Sequence, residues 1–339
     1  MKTLWDMNTL ISSYWGMYAI QAVLHSAIAS VIVDFALIAW DMRTPHVKQR
    51  FRFMVIFLPV ASFPFYQLIL PSRGNVYFRL ESLLDSNKWF FLELWEGIPM
   101  FAVFIGILLF TSIIFIIQEL VPIVLDILEQ MRGANETVAD EVEEESMVQK
   151  VLSAMEDLPL DEKSVEILND EDLALFSSTG LNPRIYVSTG LIKSFSTEHL
   201  QAAFAHEIGH IQRSRKPVLI FGYILRVFML YNPIAMIEFR KLVEEEEKVC
   251  DDIAVSLTGK PEALFEAVDM LRPAPEDYNL DKNPRGIRGI ASALEHYSHD
   301  VLMKKRARRI RQHHQDDPYW GIPYFVTLVL IVGINYFVV

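Results

Sequence analysis

His206-Glu207-Ile208-Gly209-His210 is the stretch that decides the fold of this 339-residue chain. The ten residues before it contain neither proline nor glycine and begin with Ser196, which suits a helix N-cap, so the stretch is predicted to lie on a helix. On a helix, positions i and i+4 share one face, and both imidazoles can therefore reach one ion. The pattern H-E-x-x-H meets the requirement for two zinc ligands with a general base beside them.

Glu207 is predicted to act as the base and not as a ligand. It points about 100° away from His206 around the helix axis, so it reaches water near the ion without binding the ion itself. Catalytic zinc takes three protein ligands and leaves a fourth position open. The sequence thus predicts one Zn²⁺ per chain, bound by His206, His210 and one further side chain.

The acidic run from Glu244 to Asp252, which is also interpreted as helical, offers the third ligand. Glu247 and Asp251 are four residues apart and share a helical face, so Glu247 is predicted to bind zinc and Asp251 to orient a histidine. The three preceding glutamates are expected to be solvated, because runs of charged residues usually lie on the solvent-exposed surface. They are Glu244, Glu245 and Glu246.

These motifs resemble, in their order, the membrane peptidases of the beta-lactam-sensing BlaR/MecR receptor type. That type has H-E-x-x-H, an aromatic-Asn-Pro and E-x-x-C-D, which correspond here to the stretch at 206–210, to Tyr231-Asn232-Pro233 and to Glu247-Lys248-Val249-Cys250-Asp251. The E-x-x-x-D arrangement is also similar to that of the HtpX and CAAX-prenyl-protease zinc endopeptidases. The resemblance implies a zincin-like metallopeptidase of the same ligand type.

A further segment, His296-Tyr297-Ser298-His299, resembles the H-Y-S-H-P-P segment of the prenyl proteases. The resemblance implies that His299 is catalytic and lies near the scissile carbonyl, together with a following arginine. Asp300 and Val301 stand where that family has two prolines. The family spacing leads to Lys305, with Arg306 one residue later, and the choice between these two basic residues stays open.

Four apolar segments indicate a multi-pass membrane protein: residues 14–40, 53–70, 98–117 and 319–339. About 20 residues of helix are needed to cross about 30 Å of hydrocarbon. Hydrophobic residues make up 52% of the chain, which agrees with this interpretation. His25 and Asp34, inside the first segment, are expected to face protein or water and not to pair with each other.

Basic residues beside these segments predict their orientation, because cytoplasmic loops carry an excess of Lys and Arg. The link between the first two segments contains four basic residues against Asp41, and a basic run at 304–311 precedes the last segment. Both links are therefore predicted to be cytoplasmic, and both termini to lie outside. The zinc domain is then cytoplasmic.

Residues 217–237 are apolar enough to score as a further span, yet they lie between His210 and Glu247. A single crossing would place ligands of one ion on opposite sides of the membrane, and two crossings cannot fit in the intervening residues. The segment is therefore expected to be buried in the domain or to lie at the membrane surface. It is expected to be interrupted near Asn232-Pro233.

The predicted fold is a mainly helical membrane protein with about four transmembrane helices and a cytoplasmic α+β metallopeptidase domain. Its parts are a transmembrane region (1–125), an acidic linker (126–149), the metallopeptidase domain (150–315) and a last transmembrane helix (319–339). Residues 173–177 and 184–188 are predicted to form a small antiparallel sheet, whose edge offers a place for a peptide to add as a strand.

The composition of the chain limits the possible partners and the possible classes of function. A net charge of −12 argues against nucleic acid as a partner. Cys250 is the only cysteine, which excludes an intrachain disulfide, and it is predicted to be a packed core residue facing away from Glu247 and Asp251. The predicted partners are a protein or peptide substrate and the lipid bilayer. Two functions remain: a zinc endopeptidase, and a receptor whose metallopeptidase-like domain signals by changing conformation.

Overall fold

The computed structural model describes residues 13–70, 92–95, 98–117, 121, 145–161, 164–178, 182–214, 218–271, 303–304, 306–310 and 319–338. In chain order its helices are α1 (Tyr14–Ala39), α2 (Pro45–Ile69), α3 (Met100–Phe115), α4 (Glu145–Met155), α5 (Thr189–Ser194), α6 (Thr197–Ser214), α7 (Val218–Phe228), α8 (Pro233–Thr258), α9 (Pro261–Met270) and α10 (Gly321–Tyr336). Its strands are β1 (Glu93–Trp95), β2 (Ile98–Pro99), β3 (Val165–Leu168), β4 (Leu175–Ser178) and β5 (Arg184–Ser188).

The chain folds into two compact units. The first contains residues 1–136, 218–245 and 315–339, and the second contains residues 137–217 and 246–314. Residues 218–245 thus fall in the unit of the apolar helices. The predicted division into a linker at 126–149 and a metallopeptidase domain at 150–315 stays a prediction. The helix α8 contributes residues to both units.

Within the first unit, α1 and α2 are long and apolar enough to cross a membrane. One side of α1 exposes Val31, Phe35 and Ile38, each with 70–79% of its surface accessible. Among the described residues, α3 and α10 are apolar but have 16 residues each, fewer than the roughly 20 that a full crossing requires. The four-span arrangement therefore stays a prediction.

Two polar side chains of α1, His25 and Asp34, have partners inside the first unit, which offsets the cost of burying polar groups in an apolar setting. His25, fully buried on α1, lies 2.8 Å from Ser62 Oγ through Nδ1 and 3.2 Å from the Val338 carbonyl oxygen through Nε2. Asp34 instead forms an ion pair with Arg52 of α2. The two residues have separate partners, as expected from their positions on α1.

The sheet of the second unit is mixed and has the order β3-β5-β4. The predicted antiparallel pairing of β4 with β5 is present, with Leu175 opposite Val187. The description of this sheet as antiparallel is nevertheless wrong, because β3 pairs with β5 in parallel, with Val165 opposite Ile185. The apolar stretch that forms β3 is short and interrupted by polar residues, so the local sequence pattern does not predict this strand. Its conformation depends on pairing with β5, which comes later in the chain.

The helix α6 lies at the centre of the second unit. Ser196 caps it by accepting a hydrogen bond of 3.1 Å from the backbone N–H of His199, as its sequence predicted. Its apolar face is buried against α4, α9 and the inward side chains of β5; the fully or almost fully buried residues of α6 are Leu200, Ala202, Ala203, Phe204, Ala205 and Ile208. This packing holds the H-E-x-x-H stretch rigidly.

Candidate metal centre

The two histidines of α6 converge on one point. Their rings lie one helical turn apart on the same face, and the Nε2 atoms of His206 and His210 are 3.1 Å apart. His206 is buried, whereas His210 is half-buried. The helical period therefore brings these residues together, as the sequence predicted.

Glu247 on α8 completes a group of three. Its Oε2 lies 3.6 Å from His206 Nε2 and its Oε1 lies 3.4 Å from His210 Nε2. Four ligands held tetrahedrally about 2.0–2.2 Å from a zinc ion lie about 3.3–3.6 Å from one another. The three side chains therefore fit one zinc ion with little adjustment, and they form a group able to hold a metal among the described residues.

Asp251, one turn beyond Glu247, is almost fully buried and contacts both His206 and Arg306. Its Oδ1 lies 3.0 Å from Nδ1 of His206, the ring nitrogen that faces away from the other ligands. Burial alone would raise the pKa of Asp251, but Arg306 and His206 hold it well below its usual range. The charged carboxylate is therefore placed to set the orientation of His206.

Arg306 lies in this site and is 5% exposed. Its Nε and Nη2 donate to the two oxygens of Asp251, at 3.1 and 2.8 Å, and its Nη1 lies 3.0 Å from Glu247 Oε2. The sequence left the choice between Arg306 and Lys305 open. Lys305 lies outside the described residues, as do His296 and His299, so their predicted roles stay predictions.

The electrostatics of the group favour a positive charge between its members. Burial lowers the pKa of His206, but contacts with Asp251 and Glu247 outweigh burial and raise it to about 9. Burial raises the pKa of Glu247, whereas His206 and Arg306 bring it down to about 2. Carboxylates that stabilise an imidazolium to this extent also favour binding of a cation.

Glu207 shares a cavity of about 180 Å³ with the three candidate ligands and Arg306. Its side chain is half-buried and is not part of the ligand group. The remaining lining is apolar and comes from β4, α6, α9 and the segment before Arg306; it consists of Leu175, Ala203, Leu264, Ala267, Val268, Leu271 and Met303. The cavity thus has a polar side that carries the candidate chemistry and an apolar side.

Glu246 corrects one expectation from the sequence. It is 5% exposed and forms an ion pair with Arg213, at the end of α6, so it is not a solvated residue of an acidic face. A glutamate is buried at this depth only when a partner neutralises it. That partner is 33 positions earlier in the chain, where no local pattern connects it to the acidic run.

Cys250 is fully buried, as predicted, but it contacts the site. Its Sγ lies 3.5 Å from Nδ1 of His210. A Cβ added at Gly209 would lie 3.2 Å from the Cα of Cys250 and 3.3 Å from its carbonyl oxygen. Cys250 therefore marks a close approach of α8 to α6, and any side chain at 209 would require the backbone of α8 to shift by a few tenths of an ångström.

Comparison with known families supports this interpretation of the site. Residues 102–262 match the family described as BlaR1 peptidase M56. The match confirms the resemblance to the BlaR/MecR peptidases. It points to a metallopeptidase acting on a protein substrate and, together with α1 and α2, to a membrane protein. The matched range includes the three candidate ligands, whereas Arg306 lies beyond it. A comparison with curated protein sequences found no match.

Removing Glu247 should remove the metal. We expect Glu247→Ala to lower zinc occupancy sharply, because two imidazoles alone remain, and Asp251→Ala to lower zinc affinity by about 10- to 100-fold through loss of histidine orientation. Zinc content after dialysis and competition with a chelator measure both effects. Glu244→Ala is the matched control on the same helix. Loss of zinc from the control with retention in Glu247→Ala would show that another face of α8 binds the ion.

Adding a side chain at Gly209 should displace the candidate zinc ligands, because it increases the distance between α6 and α8. In Gly209→Ala the new methyl group must push α8 away by a few tenths of an ångström, because it meets backbone atoms of Cys250. We expect weaker zinc binding together with about 1–3 kcal/mol of lost stability. Gly321→Ala, with open space around it, is the control. Unchanged zinc affinity in Gly209→Ala would mean that this contact does not set the site.

Proposed function

We propose that this protein is an integral-membrane zinc endopeptidase that hydrolyses a membrane-bound or membrane-proximal protein. One observation carries the proposal: Glu207 lines the same cavity as His206, His210 and Glu247 without belonging to the ligand group. A structural zinc site requires ligands but no carboxylate base beside them. The position of Glu207 therefore favours catalysis over a domain that acts only by changing conformation.

The residues of the site have distinct roles in this reaction. A bound zinc ion would polarise the peptide carbonyl and lower the pKa of a water molecule to about 7. Glu207 takes a proton from the attacking water, whose oxygen joins the carbonyl carbon, and passes that proton to the leaving amine nitrogen as the C–N bond breaks. Asp251 holds His206 in the orientation that directs Nε2 to the ion.

Arg306 and His299 are proposed to act on the other side of the carbonyl. Arg306 lines the cavity, and a guanidinium there offsets the negative charge that develops on the carbonyl oxygen. His299 has the same proposed role through the resemblance of its H-Y-S-H segment to the prenyl proteases. Since Arg306 also binds Asp251 through two hydrogen bonds, it links this role to the orientation of His206.

The edge of the sheet supplies a path for a peptide. Among the described strands, β4 pairs only with β5 and its first residue, Leu175, lines the cavity. A substrate in extended conformation can add to such an edge through main-chain hydrogen bonds, which place its backbone without reading its side chains. We propose that the substrate binds along β4 and enters the cavity beside Leu175.

The proposed setting is a multi-pass membrane protein whose metallopeptidase domain faces the cytoplasm. The orientation is supported by Arg43, in the link after α1, and by Lys48, Arg50 and Arg52, in the first turns of α2. The basic run before α10 supports the same orientation. A cytoplasmic site close to lipid suits a substrate that is itself held at the membrane.

Replacing the base should stop the reaction while leaving the metal in place. We expect Glu207→Gln to retain zinc and stability and to lose about 10²- to 10⁴-fold in cleavage rate, because an amide cannot accept the proton. Cleavage of a mixture of quenched fluorescent peptides by the purified full chain measures the rate, and zinc content is measured on the same sample. Wild-type turnover by the variant would exclude Glu207 from the mechanism and favour the receptor that signals by conformation.

The proposed role of His299 is tested by separating rate from metal binding. We expect His299→Ala to lower turnover by about 10²- to 10³-fold, the typical effect of losing one donor to the oxyanion, with zinc content and KM nearly unchanged. His296→Ala, three residues earlier in the same segment, should affect neither quantity. Equal effects of both variants, or loss of zinc from His299→Ala, would contradict the role.

A further inference from the structure

The helices α7 and α8 fold back on each other as a hairpin within the first unit. Gly222 and Leu242 lie ten residues on either side of Asn232, and a Cβ at Gly222 would lie 3.1 Å from Leu242 Cδ2. Nearer the turn, the guanidinium of Arg226 lies over the ring of Phe239, 4.9 Å from its centre. Residues equally far from the turn are thus neighbours, which defines an antiparallel hairpin of residues 218–245.

The turn of the hairpin meets the middle of α1. Asn232 is fully buried, and its side-chain amide donates to Ser26 Oγ at 2.9 Å. The side-chain oxygen of Asn232, Oδ1, accepts a hydrogen bond of 3.0 Å from the backbone N–H of Ile234 and so caps α8. Ser26 is at the midpoint of Tyr14–Ala39, so the tip of the hairpin reaches half-way along this candidate span.

From that midpoint, the returning arm runs alongside α1 towards its C-terminal end. Ser30 donates to Glu238 at 2.9 Å, and Asp34 lies 3.6 Å from Lys241. The eight residues from Ser26 to Asp34 extend about 12 Å along the helix, close to the ~15 Å that is half the hydrocarbon thickness. The Asp34–Lys241 pair therefore lies where α1 would approach the membrane surface, and the turn of the hairpin lies deeper.

The outer face of α7 is apolar and exposed. Its residues recur at helical spacing on one side of the helix. The side facing α2 contains Leu225, which packs with Ile56, and Phe221, whose ring centre lies 6.0 Å from that of Phe53. The exposed residues of the outer face are Ile220 (61%), Ile224 (45%), Val227 (38%) and Phe228 (71%). An apolar face of this extent next to two candidate spans, with the same exposed apolar character as the outer side of α1, fits lipid chains better than water.

We infer that residues 218–245 form a re-entrant membrane hairpin whose outer face is covered by the acyl chains of one leaflet. The hairpin enters and leaves on the side where α1 ends, and α7, with 11 residues, is too short to cross. The inference rests on the proposed insertion of α1 and α2 and is independent of catalysis. It explains how an apolar segment separates His210 from Glu247 while all three ligands stay on one side of the membrane.

Spin labels on the full chain in phosphatidylcholine–phosphatidylglycerol vesicles test how deeply the hairpin lies in the bilayer. The natural Cys250 is fully buried, so the wild type serves as the labelling blank. We expect a label at Phe228→Cys to be accessible to oxygen and protected from a water-soluble nickel complex, as at Val31→Cys on α1. A label at Ile220→Cys should lie shallower, and Thr197→Cys should be fully accessible to nickel.

Two outcomes distinguish failure of the hairpin from failure of membrane insertion. Nickel access at Phe228→Cys with protection at Val31→Cys would overturn the hairpin and leave α1 inserted, and nickel access at both would overturn insertion itself.

A second measurement uses a membrane-impermeant maleimide on Thr197→Cys and Ser256→Cys, which flank the hairpin. We expect both to label from the same side, and labelling from opposite sides would show a true crossing.

Discussion

The short distance between α6 and α8 at Gly209 and Cys250 is the constraint on which the candidate metal centre depends. The ligands come from two helices far apart in sequence, and they can share an ion only if the helix backbones come close together. Absence of a side chain at 209 permits that approach. Because Glu247 and Asp251 flank Cys250 on α8, a rotation of α8 by one residue, about 100°, would turn both carboxylates away from the histidines.

Charge balance within the second unit maintains this arrangement. Asp251 and Arg306 are both nearly inaccessible to water and offset each other through two hydrogen bonds, which reduces the cost of burying either charge. The same carboxylate lies against Nδ1 of His206, so Nε2 is the nitrogen that faces the other two candidate ligands. One buried acid thus connects an arginine late in the chain to the first ligand.

The sequence was informative where the helical period alone decides position. The spacing of His206 and His210, and of Glu247 and Asp251, predicted which side chains the structure brings together. Glu246 was not predictable in this way, because only its pairing with Arg213 distinguishes it from the neighbouring glutamates. The same limit applies to the fold: the β4–β5 hairpin is local and was predicted, whereas β3 depends on a parallel partner elsewhere in the chain.

The contact between Asn232 and Ser26 also makes two distant parts of the sequence depend on each other. The amide of Asn232 is buried at the tip of the α7–α8 hairpin, and one of its partners is a hydroxyl on α1, 206 positions earlier in the chain. Burying that amide without this partner would cost free energy. A substitution of Ser26 on α1 therefore destabilises the turn between α7 and α8 as well.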